Sequence, residues 1–154
     1  MQLFLDCDGV LADFVKGATK LLGMPPSEFE DKYGEAEMWN RIEASKDFFG
    51  NLEPLPDSYE LFDAVKHLDP IILTGRPRGV WAERQKLKFR DKYYPGTKMI
   101  VCRSRDKIKY AKAGDVIVDD WKKYQHLWVN GGGIWVMHTS AKDSINQLKN
   151  LGVI

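Results

Sequence analysis

Asp6 and Asp8 stand two residues apart at the end of the apolar run Leu3-Phe4-Leu5, just ahead of Gly9. Side chains of an extended strand repeat every two residues, so both carboxylates leave on the same side. Such a pair repels itself unless a cation compensates it. A hard divalent ion such as Mg²⁺ suits the task, because it takes a few carboxylate or carbonyl oxygens and leaves the rest of its shell to water and a phosphate. Gly9 lets the backbone turn sharply beside them. Three later segments complement the pair. Thr74-Gly75-Arg76-Pro77 offers a hydroxyl and backbone N–H groups of the kind that hold phosphate oxygens. Arg103-Ser104-Arg105-Asp106-Lys107 offers an ammonium, and Asp119-Asp120 a second acidic pair. Each has a plain structural reading as a turn, a helix cap or a solvated charge run. What sets them apart is position: each follows an apolar run.

Those runs are the elements that must carry the polar groups. Five read as strands: Leu3 to Leu5, Ile71 to Leu73, Met99 to Cys102, Val116 to Val118 and Ile134 to Met137. Most lack polar alternation, as expected of a parallel sheet covered on both faces. Helix-period segments lie between them. Asp57 with Glu60, and Ser27 with Glu30, have capping-box spacing, while Gly23, Gly34 and Gly114 read as stop signals. The reading is an α/β fold with a five-stranded, mainly parallel Rossmann-like sheet. The connection from the first strand to the second is far longer than a crossover needs. Residues 14–55 are therefore expected to form a small helical cap, inserted into a core made of residues 1–13 and 56–154.

Composition bounds the partners. The 154 residues are 44% hydrophobic and 29% charged, as in ordinary globular domains, and 23 basic against 22 acidic side chains leave a net charge of +1. There is no global field to condense the chain onto nucleic acid or an anionic membrane, so anion binding must be local. Two cysteines are too few for a disulfide framework. No apolar run approaches a membrane span, and MQLFLDCDG lacks the features of a signal peptide. The expected location is the cytoplasm, with no membrane partner.

Taken together, the four strand ends resemble the motifs of the haloacid dehalogenase (HAD) superfamily. The resemblance implies a HAD-like fold and phosphatase chemistry with magnesium. It makes Asp6 the nucleophile, Asp8 the general acid and base, Thr74 the hydroxyl of the second motif and Lys107 the lysine of the third. Asp119 and Asp120 become the acidic metal motif, so that Asp6, Asp8, Asp119 and Asp120 are the expected metal site. Thr74, Gly75, Arg76 and Lys107 are expected to bind the phosphate.

A narrower resemblance concerns substrate. The strings LFLDCDGVLADF and FFGNLEPLPDSYELFDAVK are similar to those of the 5′(3′)-deoxyribonucleotidases, which remove phosphate from nucleoside monophosphates. That implies a small phosphate ester, a nucleotide, with Trp39, Phe48 and Phe49 enclosing the base. Thr74-Gly75-Arg76-Pro77 and Trp121 depart from that family, and the former, with the stretch Val118 to Met137, is also similar to the 3′-phosphatase domains of polynucleotide kinases. Polynucleotide-end processing, sugar-phosphate hydrolysis and a regulatory module that binds nucleotide without turnover are the alternatives. Arg76, Lys86, Lys88, Arg90, Lys92, Arg103 and Arg105 would line a strand-end groove, or simply form a solvated face.

Overall fold

The computed structural model describes residues 1–154. Strands β1 (Leu3–Leu5), β2 (Ile71–Gly75), β3 (Met99–Cys102), β4 (Val116–Asp119) and β5 (Ile134–Met137) form one sheet in the order β3-β2-β1-β4-β5. Every neighbouring pair is parallel. The strands lie where the apolar runs predict them, β2 and β4 extending into Gly75 and Asp119. From central β1 the chain builds outward through β2 and β3, then crosses to the other side for β4 and β5. That reversal opens a crevice at the carboxyl ends of β1 and β4, where open α/β sheets bind ligands. Leu5 pairs with Val118, and the Asp6 N–H donates to the Val118 carbonyl at 2.9 Å, so Asp6 emerges beside Asp119.

The long connection after β1 holds helices α1 (Phe14–Leu22), α2 (Pro26–Tyr33) and α3 (Glu35–Ala44) and a 3₁₀ turn at Phe49–Asn51. Asp13 caps α1, accepting from the Lys16 N–H at 3.1 Å, and Gly23 ends it in the left-handed region. Helix α2 starts at Pro26, whose missing N–H costs nothing there. Ser27 thus lies within the first turn and is not the cap its spacing with Glu30 suggests. The two ends of the insertion run side by side: Asp13 N–H donates to the Glu53 carbonyl at 2.8 Å, and Leu55 N–H to the Leu11 carbonyl at 2.9 Å. Phe29, Met38 and Ile42 are buried in one cluster with Phe48, Phe49, Leu5 and Val118, so the insertion shares the main core of the sheet.

The helices after the insertion are α4 (Ser58–Val65), α5 (Trp81–Tyr93), α6 (Gln125–Asn130) and α7 (Ala141–Asn150). Asp57 precedes α4, yet its carboxylate accepts from the Ala141 N–H at 2.8 Å and ties α4 to α7 instead of closing a capping box. Alternate strand residues serve two cores. Leu3, Leu5, Ile72, Val116, Val118 and Val136 face one that includes Leu61, Phe89 and Leu148. Phe4, Leu73, Cys102 and Ile117 face the other around Trp128, whose ring packs edge-on against Phe4. Both faces are covered, as predicted, but the second by short α6 and a 3₁₀ stretch at Ser104–Tyr110. No helix is long and apolar enough to cross a membrane.

Candidate active site

The parallel register of β1 and β4 sets the first cluster. Carboxylate oxygens of Asp6, Asp119 and Asp120 lie within 4.8 Å of one another. Lys107 reaches in from the 3₁₀ stretch with its ammonium 2.9 Å from Asp6 Oδ1 and 2.8 Å from Asp119 Oδ2. Runs of 3₁₀ helix this long are uncommon. Here the tight winding turns Lys107 inward, and the residue is buried. The other oxygen of Asp119 accepts from the Trp121 N–H at 2.9 Å. Both Asp119 oxygens therefore have protein donors. Asp120 lies over Gly9, where φ is +84° and any Cβ would overlap its carboxylate. Gly9 is thus required twice, for its backbone conformation and for the space above it.

Asp8 belongs to a second cluster. Its Oδ2 is 2.6 Å from the Lys86 ammonium, which also donates to Thr74 Oγ1 at 3.1 Å and sits 4.2 Å from the centroid of the Phe49 ring. The Asp8 side chain is thereby drawn out of the metal-type cluster expected to include it: three carboxylates converge, and the fourth pairs with Lys86. Lys86 is 1% exposed, not part of a solvated or groove-lining basic face. Its signal was present in the sequence. Ala82, Lys86 and Phe89 are the buried residues of α5, spaced i, i+4, i+7, so a lysine occupies the middle of an apolar stripe.

The phosphate-type residues divide. Thr74 is fully buried at the end of β2, held by Lys86. Gly75 faces Ser104, whose hydroxyl a Cβ would strike, so β2 and the 3₁₀ stretch meet closely there. The Arg76 guanidinium is engaged by the carbonyls of Pro77 and Gly79 in its own loop. Phe48 and Phe49 are both buried, packed edge to face at 5.1 Å, with Phe14 against each of them. One face of Phe49 is occupied by Lys86, so these rings are core before they are surface. Trp39 is half-buried, tilted against Phe14 at 6.1 Å, with its indole N–H directed to Glu35.

Electrostatics follow from three carboxylates sharing one ammonium. Loss of solvent and then the Asp6 charge push Asp119 up to about 6. Asp120 is an exposed residue, but its carboxylate lies against Gly9, and that local loss of solvent, then the charges of Asp6 and Asp119 and a bond to Asp6, raise it to about 8. Burial opposes the charge of Lys107, but Asp6 and Asp119 outweigh it and hold the ammonium above its usual range. Burial raises Asp8 against the lowering effect of Lys86. A cluster of acids that keeps protons near neutrality is short of positive charge.

No family model matches the chain. No curated protein matches it either. Among solved structures the chain is similar to a HAD hydrolase of family IA, variant 3, from Entamoeba histolytica, with 14% identity and a TM-score of 0.54 over 97% of this chain and 88% of that one. A hydrolase from Pseudomonas syringae is similar at 12% identity and a TM-score of 0.48, over 98% of this chain and 99% of the other. The Entamoeba likeness is one of fold, and it agrees with the HAD-like α/β architecture expected from the strand-end motifs.

Proposed function

We propose that this chain is a magnesium-dependent phosphomonoesterase that passes a phosphoryl group from its substrate to Asp6 and then to water, and that it acts on nucleoside monophosphates as 5′(3′)-deoxyribonucleotidases do. The observation that supports this most is the convergence of Asp6, Asp119 and Asp120 around the single ammonium of Lys107, at the crevice between β1 and β4.

The donor set suits Mg²⁺. It is all oxygen, carries three carboxylates against one lysine, and includes two acids whose proton affinity is raised by loss of solvent and then by the neighbouring Asp6 charge. Asp6, Asp119 and Asp120 would hold the ion. When bound, it supplies positive charge to the phosphate and orients it for attack.

The remaining work falls to the chain. A carboxylate is deprotonated at neutral pH and needs no base to attack phosphorus, only relief from repulsion. Facing two negative charges at about 4 Å, it feels on the order of 8 kcal/mol at an effective dielectric near 20, equivalent to roughly a millionfold in rate. Lys107, bonded to Asp6, offsets part of this. As the Asp6 oxygen bonds to phosphorus, the ester bond breaks toward the leaving oxygen, which takes a proton from Asp8. In the second half a water gives its proton to Asp8 and its oxygen to phosphorus, releasing inorganic phosphate and free Asp6. The Thr74 hydroxyl and the Gly75 N–H serve the phosphate oxygens.

Residues 14–55 act as the cap over a core of residues 1–13 and 56–154, and Trp39, half-buried and tilted against Phe14, is the aromatic ring assigned to meet a base. A phosphate-release panel with Mg²⁺ tests this, comparing deoxyribonucleoside and ribonucleoside monophosphates, 3′-phosphorylated oligonucleotides and sugar phosphates. Deoxyribonucleoside monophosphates are expected to turn over fastest. Preference for oligonucleotide ends or sugar phosphates overturns the substrate class, and binding without turnover of any overturns the enzyme.

A further inference from the structure

Lys86 is a buried cation that the phosphatase chemistry above does not use. Its ammonium is shared among Asp8 Oδ2 at 2.6 Å, Thr74 Oγ1 at 3.1 Å and the face of Phe49, whose ring centroid is 4.2 Å away. An ammonium in this setting is expensive to hold unless its partners are fixed, so the arrangement also fixes the partners. One oxygen of Asp8 is committed to Lys86. The other, Oδ1, is buried and has no hydrogen-bond partner. A buried acceptor left unsatisfied costs about 1–3 kcal/mol and calls for an explanation in terms of function or an absent ligand.

We propose that Lys86 is the positioning residue of this site: by anchoring Asp8 Oδ2 to Thr74 and Phe49, it presents Asp8 Oδ1 as the one atom that exchanges protons with the leaving group. The inference deepens the phosphatase reading and rests on it. In the step concerned, the Asp6–phosphorus bond forms and the phosphorus–ester oxygen bond breaks with its electron pair on that oxygen. The proton on Asp8 Oδ1 passes to the same oxygen, leaving an Asp8 carboxylate paired to Lys86. Lys86 touches neither phosphate nor leaving group. Its contribution is the direction in which Asp8 points, and it is set by α5, which carries Lys86 in line with Ala82 and Phe89.

A positioning role of this kind depends on the leaving group, whereas a purely structural one does not. Two esters of matched shape, p-nitrophenyl phosphate and phenyl phosphate, differ in how much their leaving oxygen needs a proton. Their kcat/KM values cover the steps through leaving-group departure only. Lys86→Met is expected to raise the ratio of the nitrophenyl to the phenyl value about tenfold or more. Asp8→Asn should raise it similarly, and the double variant no further. Lys86→Gln, which keeps a donor within reach of Asp8, should fall between Lys86→Met and the unsubstituted protein. Equal losses on both esters, in whichever variant melts cooperatively, overturn the proposal and leave the phosphatase reading standing. A crystal structure of the unsubstituted protein with Mg²⁺ and vanadate reads the same point without substitution. Lys86 on Asp8 is expected there, and Lys86 turned onto the vanadate overturns the assignment. If the unsubstituted protein releases phosphate from neither ester with Mg²⁺ present, the phosphatase reading falls and this inference falls with it.

Discussion

The Lys107 ammonium lies 2.9 Å from Asp6 Oδ1 and 2.8 Å from Asp119 Oδ2, joining the ends of two adjacent parallel strands through one buried charge. The relationship arises from three facts: Leu5 pairs with Val118, Asp6 follows β1 while Asp119 closes β4, and the 3₁₀ stretch carries Lys107 inward. Removing the ammonium strands two carboxylates that have little solvent. Breaking a buried pair in this way costs about 3–5 kcal/mol. Lys107→Met is therefore expected to lower the urea midpoint of the metal-free protein strongly, and Mg²⁺ to restore part of it. Phosphate release should fall sharply, and an unaltered midpoint would show that Lys107 does not hold the strand ends together.

Asp6→Asn keeps the shape of the side chain and removes its nucleophilic charge. Turnover of p-nitrophenyl phosphate should drop by at least about a thousandfold, while the circular dichroism spectrum stays unchanged. Turnover at the unsubstituted rate would take Asp6 out of the reaction.

Asp120 provides the pH signature. Its affinity for a proton is raised from the ordinary 3.8 to about 8, so between those values the folded chain holds a proton that the unfolded chain has lost. Stability of the metal-free protein is reduced progressively as pH rises through that window, and the penalty is absent below it. Asp120→Asn should thus raise Tm relative to the unsubstituted protein by an amount that grows from pH 4 to pH 8. A constant difference across the window would mean that Asp120 does not titrate within the cluster.

A divalent cation held by Asp6, Asp119 and Asp120 would compete with protons for the same oxygens. Mg²⁺ at a hundred times its Kd should stabilise the fold by about 2.7 kcal/mol, measured as a shift in Tm. The shift should shrink as pH falls toward 5. Excess EDTA should stop phosphate release and added Mg²⁺ restore it, and full activity in EDTA would remove the ion from the mechanism.

Substitution of Trp39 tests the proposed base contact separately from the phosphoryl chemistry. Stacking of a base on an aromatic ring contributes about 1–3 kcal/mol. Trp39→Ala should therefore raise KM for a nucleoside monophosphate about 5- to 160-fold while leaving p-nitrophenyl phosphate nearly unaffected. Equal kinetics on the nucleotide would place the base elsewhere.

Much of this molecule is local in origin and so can be read along the chain. Short continuous apolar runs define β1 to β5, and the polar residues that follow or close them make Asp6 and Asp119 recognisable as candidates before any packing is known. The pairing of Asp8 is not of that kind. Its partner sits on α5, and the 2.6 Å contact exists only because α5 packs Ala82, Lys86 and Phe89 against the sheet. A surface reading of Lys86 follows from average lysine behaviour and is overturned by burial alone. The same holds for Phe48 and Phe49, whose types fit a binding pocket or a core equally well until their neighbours are specified. The apolar pattern thus determined the sheet and which acids stand at its edge. Tertiary packing decided which charge neutralises which, because Coulombic pairing depends on distances of a few ångströms between residues that chain separation does not encode.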